Sequence, residues 1–173
     1  DNIRYNKSLG GGILNDAGCY PINASRMLFE SEPKGVFCNL IVDKETQVDI
    51  KATLLIDFED NIQSQSSVGY DLEYQSNYTL WASDGTLSLT RAYNIPPDMQ
   101  ARLKIKNNLK EEEILVEPVN HFQLMLESFS DEIIKSNNSK LNFEEDLLNQ
   151  AKVMEACRIS NDEKRYVEMK EIK

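Results

Sequence analysis

Asp16 and Tyr20 stand four residues apart in the segment LGGGILNDAGCYPINASRML, residues 9–28. On a helix that spacing turns both side chains to the same side. Both also fall in the first turns, near the positive end of the helix dipole. A carboxylate accepts hydrogen bonds from hydroxyl groups, and a phenol can pass a proton to or from an oxygen. A free phenol ionises only at about pH 10. It serves at neutral pH when a cation or a strong hydrogen-bonding partner stands beside it. Asp16 alone opposes that ionisation and suits the orientation of a substrate hydroxyl. The cation must come from elsewhere, because Arg26, well along the helix, is better placed for packing or an ion pair. The same two residues also fit a plain structural role, with Tyr20 as a core aromatic and Asp16 as a helix-start residue.

Gly10, Gly11 and Gly12 lead into this helix. A dinucleotide-binding turn needs Gly-x-Gly-x-x-Gly directly after an apolar strand. Gly10 and Gly12 begin that pattern, but Asn15 holds its third position and only the polar DNIRYNKS precedes it. A Walker loop needs a Gly-Lys-Ser/Thr ending, which these residues lack. No strand–helix–strand alternation follows, so the sequence holds no dinucleotide-binding domain of its own.

The elements that carry the pair are legible from periodicity. Tyr20, Ala24, Met27 and Leu28 recur at helical spacing between Asp16 and about Phe29, and Pro33 and Gly35 then end the helix. Val48, Ile50, Ala52, Leu54, Ile56 and Phe58 alternate with mostly polar residues, which predicts a strand with one buried face. The turn EDN (59–61) leads into a second strand, IQSQSSVGY, and Ser83-Asp84-Gly85-Thr86 joins two more as a hairpin. ARLKIK and EILVE pair across the polar NNLKEE. Asn120 with Gln123, and Asn142 with Glu145, have the form of capping boxes. Phe122, Met125, Leu126, Phe129 and Ile133 line one side of the first closing helix. Leu147, Leu148, Ala151, Met154 and Cys157 line one side of the second. This order predicts an α+β fold with a single large, mostly antiparallel sheet and its helices packed on one face. On the other face, serines and glutamines stand beside Leu55, Tyr74, Tyr78 and Leu80, which suits either solvent or a subunit interface.

The 173 residues fit one domain, residues 1–173. Acidic residues outnumber basic ones by 29 to 19, and no basic cluster is present to neutralise phosphates, which argues against nucleic acid. No apolar run approaches the roughly 18 residues that span a bilayer, so no membrane partner is expected. Cys19, Cys38 and Cys157 are scattered and odd in number. With the single His121 they offer neither a disulfide framework nor a metal site, and reduced thiols suit the cytoplasm. The sequons at Asn6, Asn23, Asn77 and Asn137 read as coincidences of an Asn-rich chain.

The run LGGGILNDAGCYPINASRMLF resembles the signature that opens the C-terminal domain of the glucose–fructose oxidoreductase / inositol dehydrogenase / MocA family. The matching positions are Gly10, Gly11, Gly12, Leu14, Asp16, Gly18, Tyr20 and Arg26, while Asn23 stands where many members carry a second acid. TLLIDFEDN, YTLWASDGTLSL, NHFQLMLESFSDEII, FEEDLLNQAKVMEACRIS and YVEM then follow in the family's order, so nearly the whole chain is covered. The resemblance implies an NAD- or NADP-dependent enzyme of two domains. The Rossmann domain, with its Glu-Lys-Pro motif, lies outside these residues. This half binds a sugar-like substrate and forms a homo-dimer or tetramer through the open sheet face. The resemblance makes Tyr20 the catalytic proton carrier, beside a Lys from the Rossmann domain, and Asp16 a substrate-binding residue. It gives His121 the same substrate-binding role, although His121 also reads as an exposed residue at a helix start. Gly10, Gly11 and Gly12 then let the backbone approach the nicotinamide or the Rossmann domain. Tyr in place of His at position 20 is similar to sugar oxidoreductases, dihydrodiol dehydrogenases and deoxysugar 3-ketoreductases of the family. Alone, the chain is expected to be inactive and to bind no nucleotide with useful affinity. A ketosugar reductase and a non-enzymatic assembly domain of the same fold are the alternatives.

Overall fold

The computed structural model describes residues 2–135 and 142–173, so Asn137 lies outside the described residues. It falls into two compact units, Asp1–Leu72 with Asn142–Lys173, and Glu73–Leu141.

In the first unit the expected early helix is present as a wide π turn, Leu14–Gly18, that runs into α1 (Cys19–Phe29). Its sheet holds β1 (Gly35–Val42), β2 (Asp49–Asp57), β3 (Gln63–Gly69) and β8 (Val167–Glu168), all antiparallel, in the order β3-β2-β1-β8. Alternation decides the buried face. Val36, Cys38, Ala52, Leu54 and Ile56 point inward and are buried with Val167. They meet Leu14 and Ile22 from the helical side, and Val153, Ala156 and Cys157 from α3 (Phe143–Glu163). Each fully buried Val, Leu or Ile contributes about 1.5–3 kcal/mol relative to exposure. Burial and a hydrogen bond with Cys38 raise the Cys157 thiol above its ordinary range, with the bond as the larger cause. It behaves as a small hydrophobe, not a nucleophile.

β8 covers the edge of β1 only at Gly35 and Val36. Beyond that point α3 supplies the missing partners. The Cys38 N–H donates to Ser160 Oγ at 2.9 Å and the Leu40 N–H to Asn161 Oδ1 at 2.8 Å. Ser160, itself fully buried, donates in turn to the Arg165 carbonyl at 2.6 Å. A buried strand edge is thus satisfied by helix side chains and not by another strand. Asn142 caps α3 as expected, accepting the Glu145 N–H at 3.1 Å. Of the expected side, Cys157 is buried and Met154 packs against the core, whereas Leu147, Leu148 and Ala151 are exposed. Val153, Ala156, Cys157 and Ser160 are buried, while Leu147 is 71% exposed.

The second unit holds β4 (Tyr78–Ala82), β5 (Gly85–Leu89), β6 (Ala101–Lys106) and β7 (Glu111–Val116), an antiparallel meander in that order, followed by α2 (His121–Lys135). Tyr78, Leu89, Leu103 and Ile114 lie in one cross-strand row. On the opposite face Thr79 and Ser88 share a hydrogen bond of 3.0 Å, and Arg102 pairs with Glu113 at 3.1 Å. Asn120 accepts the Gln123 N–H at 3.2 Å, as its sequence position predicts. Phe122, Met125, Leu126, Phe129 and Ile133 of α2 are exposed.

The α+β class and the antiparallel pairing agree with the sequence reading. The strands are nevertheless shared between two four-stranded sheets where one large sheet was expected. Regular pairing ends at Gly69 and resumes at Tyr78, because the intervening residues turn instead of extending, with Asp71 at φ 54°.

Candidate functional site

The N-terminal residues fold back on the glycines. Two single 3-10 turns, Ile3–Tyr5 and Lys7–Leu9, are capped by the side chains of Asn2 and Asn6. The Gly11 N–H then donates to the Asn6 carbonyl and the Gly12 N–H to the Arg4 carbonyl, both at 2.9 Å. A Cβ on Gly11 would stand 2.6–2.8 Å from the carbonyl oxygens of Arg4, Ile3 and Asn6. Gly12 has φ +122°, and a Cβ there would meet Asp49 Oδ1 at 2.1 Å. Gly11 and Gly12 are therefore required by this chain's own folding. Gly10, at φ +76°, has nothing within 4 Å of where a Cβ would point.

Asp49 explains why the helix begins where it does. Its Oδ2 accepts the Leu14 N–H at 2.7 Å, a helix-start acceptor supplied from β2. The π turn follows and carries Asp16. π turns are rare and concentrate at functional sites. Four residues make slightly less than one π turn and slightly more than one α turn, so Asp16 and Tyr20, astride the junction, still issue from one side. Tyr20 opens α1 at its second position and is 51% exposed. It is not the core aromatic that a purely structural reading requires.

One cation of this chain, Arg4, stands against the Asp16 carboxylate. Its Nε–H donates to Asp16 Oδ2 at 2.8 Å. The hydrogen bond to Asp16, and then the Asp16 charge, hold the guanidinium above its ordinary range. Tyr70 packs against Tyr5 with ring centroids 5.1 Å apart and the rings tilted by 43°. The Tyr70 hydroxyl oxygen is buried near Asp16 but makes no hydrogen bond of standard geometry. Burial, then the Asp16 charge, push its phenol well above the usual range, and Arg4 pulls the other way. From α3, Arg158 donates to Asn15 Oδ1 at 2.6 Å, and Asn15 donates to the Gly10 carbonyl at 2.9 Å, which ties the glycine turn to the core. Arg4 carried no sequence signal. It reaches Asp16 across twelve residues through a glycine turn, which no helical or strand period describes.

Arg26 proves structural, in agreement with the sequence. Its side chain is 5% exposed and forms a bidentate pair with Glu32 at 2.8 and 2.7 Å. It also pairs with Asp146 at 2.8 Å and donates to Gln150 at 3.0 Å. It thereby ties the end of α1 to α3. The hydrogen bond from Arg26 is the largest cause of a Glu32 carboxyl held below its ordinary value. A depressed folded-state value stabilises the fold above the unfolded value of about 4.3 and loses that contribution as the pH falls through the lowered one. Arg26→Gln is expected to cost about 2–3 kcal/mol at pH 7. Its deficit against the unsubstituted chain should narrow once Glu32 is protonated. Urea unfolding at pH 7 and below pH 4 tests this, and a deficit independent of pH contradicts it.

Asn23, where many family members carry an acid, lines an open hollow of about 380 Å³ with Arg26, Met27, Glu30, Ser31, Glu32 and Asp146, apart from the Asp16 cluster. His121 belongs to the second unit, at the first position of α2, with its ring 4.3 Å from that of Phe122. Among the described residues, no group of three or more His, Cys, Asp or Glu is placed to hold a metal ion. No described helix is long and apolar enough to cross a membrane.

The profile of the GFO/IDH/MocA C-terminal domain matches residues 1–88. An uncharacterized oxidoreductase of Rhizobium meliloti is 31% identical over 75% of this chain and 40% of its own length. The dTDP-3,4-didehydro-2,6-dideoxy-alpha-D-glucose 3-reductase of Actinomadura kijaniata is 25% identical over 91% of this chain and 47% of its own length. The chain thus spans under half the length of these relatives. The crystal structure of a 3-ketoreductase from the same organism, in complex with NADP and TDP-benzene, superposes with a TM-score of 0.85 at 24% identity. It covers 92% of this chain and 49% of the other, a likeness of fold. With half the chain matched by the profile of the family's C-terminal domain, the protein belongs to the GFO/IDH/MocA family.

Proposed function

We propose that this chain is the substrate-binding and oligomerisation part of an NAD- or NADP-dependent oxidoreductase acting on a carbinol or carbonyl group of a sugar. One observation supports the reading most. In a chain of this family, a half-exposed phenol and a carboxylate issue from one side of a helix, and the carboxylate is paired with the Arg4 guanidinium. The nicotinamide, held mainly by a Rossmann domain of the full-length protein, supplies hydride chemistry when bound. Tyr20 gives a proton to the substrate oxygen in reduction and takes it in oxidation. Asp16 accepts a hydrogen bond from a neighbouring hydroxyl of the substrate. Gly10, open on its outer side, suits close approach by the cofactor-binding domain. His121 is carried as a substrate-binding residue by the family resemblance alone. The outer face of the first sheet, with exposed Phe37 and Ile41 beside Asn39, Thr53 and Gln65, is the proposed oligomer surface. Three free thiols suit a cytoplasmic setting.

Reduction of a nucleotide-linked ketosugar is favoured over oxidation of a free aldose, because the 3-reductase relative matches along nine-tenths of this chain. The test is one assay panel, run on the full-length protein and on this chain alone. NADPH-dependent reduction of a dTDP-linked 3-ketosugar should exceed D-xylose oxidation in the full-length protein, and neither should occur with the chain alone. Turnover by the chain alone, or none by the full-length protein on any sugar, removes the reading. Light scattering that finds only monomer at high concentration removes the oligomer surface.

A further inference from the structure

We propose that Arg4 is a positioning residue of the Asp16–Tyr20 site. Its guanidinium fixes the Asp16 carboxylate for substrate. The inference rests on the reading of Tyr20 as the proton-transfer group.

Arg4 is held in place by its own backbone. Its N–H donates to Asn2 Oδ1 at 3.1 Å and its carbonyl accepts the Gly12 N–H at 2.9 Å. The first bond closes the Ile3–Tyr5 turn, and the second ties it to the glycines that lead into the π turn of Asp16. The absence of a side chain at Gly11 is what allows this approach, since a Cβ there would fall 2.6 Å from the Arg4 carbonyl oxygen. The side chain then has a short, fixed route to Asp16, and it uses Nε–H, the inner donor of the guanidinium fork.

Fold stability does not account for the pair. The Arg4 side chain is 52% exposed, and exposed ion pairs contribute little to stability. The local charges do account for it. The Asp16 and Asp49 charges both act on the buried Tyr70 hydroxyl, and the Cys19 thiol donates to the Asp16 carbonyl at a sulfur distance of 4.0 Å. Arg158, a second cation near the turn, is spent on Asn15 and Glu155. A phenol that surrenders its proton here would add negative charge beside Asp16. Arg4 is paired with Asp16 at 2.8 Å. A guanidinium stays charged at any working pH, so this positive charge does not titrate away during turnover. Its planar fork also fixes which Asp16 oxygen it holds, which a lysine ammonium cannot do.

Two experiments test this. In the isolated chain, the Arg4 Nε–H resonance should be protected from exchange and should lose that protection in Asp16→Asn. Unchanged exchange overturns the fixed pair. In the full-length protein, Arg4→Ala is expected to lower kcat about 10- to 100-fold through misplacement of the reacting groups. Millimolar guanidinium ion should restore part of that loss, with no restoration in Tyr20→Phe. Retained kcat in Arg4→Ala beside a large loss in Tyr20→Phe overturns Arg4 and leaves the functional reading standing. Retained kcat in Tyr20→Phe removes the functional reading itself. Should Arg4→Ala fail to fold, Arg4→Lys and Arg4→Gln replace it. A kcat at least about fivefold higher for Lys than for Gln supports the resident charge, and a smaller ratio overturns it.

Discussion

Tyr20→Phe in the full-length protein is expected to lower kcat by about 10²- to 10⁴-fold, the range that a positioned proton donor contributes, with nucleotide affinity unchanged. The substitution removes one oxygen and keeps the ring. Because the residue is half exposed on the first turn of α1 and outside the buried cluster, the fold has little to lose. Near-normal stability with a large loss in turnover therefore separates a chemical role from a packing role. The measurement is steady-state kinetics beside a cofactor binding titration. Turnover within about threefold of the unsubstituted enzyme would mean that some other group moves the proton. A matching fall in nucleotide affinity would mean that the hydroxyl serves binding instead.

The sequence revealed this site unevenly, and the division is physical. Features set by neighbours in the chain were legible. The helical spacing around Tyr20, the alternation from Val48 to Phe58 and the Asn142 cap each depend on a few consecutive residues. Contacts that close over long separations were not. The helix-start acceptor for Leu14 is Asp49, thirty-five residues away, and an aspartate at the head of a strand looks like any turn residue. Ser160 and Asn161 have no unusual spacing, yet they complete the edge of β1. Arg4 is likewise ordinary in the sequence and acquires its meaning only when the glycine turn folds it onto Asp16. The apolar positions of α2 and of the first half of α3 show a limit of another kind. Periodicity identifies which side of a helix is apolar, but not what lies against it, and Leu147 and Met125 are exposed despite sitting on those sides.

The glycines, which looked like a single feature, separate into three different requirements, and substitution should expose the difference. Gly12→Ala is expected to destabilise the chain by about 3–5 kcal/mol. An L-residue at φ +122° carries backbone strain of about 1–3 kcal/mol. The added Cβ would also meet Asp49 Oδ1 at 2.1 Å, so the carboxylate must move. Asp49 has a short side chain already committed to the Leu14 N–H at 2.7 Å. Moving it strips the acceptor from the start of the π turn, and losing a hydrogen bond to a charged group costs about 1.5–3 kcal/mol. Gly10→Ala is the control. It also carries positive φ, but its Cβ would point into open space, so strain alone should act, at about 1–2 kcal/mol. Urea unfolding of the two variants measures the difference. If they lie within about 1 kcal/mol of each other, the Asp49 contact is not what forbids a side chain at position 12. If they separate as expected, the turn that presents Asp16 is held from β2, and a substitution that never touches substrate should disturb the site through Leu14.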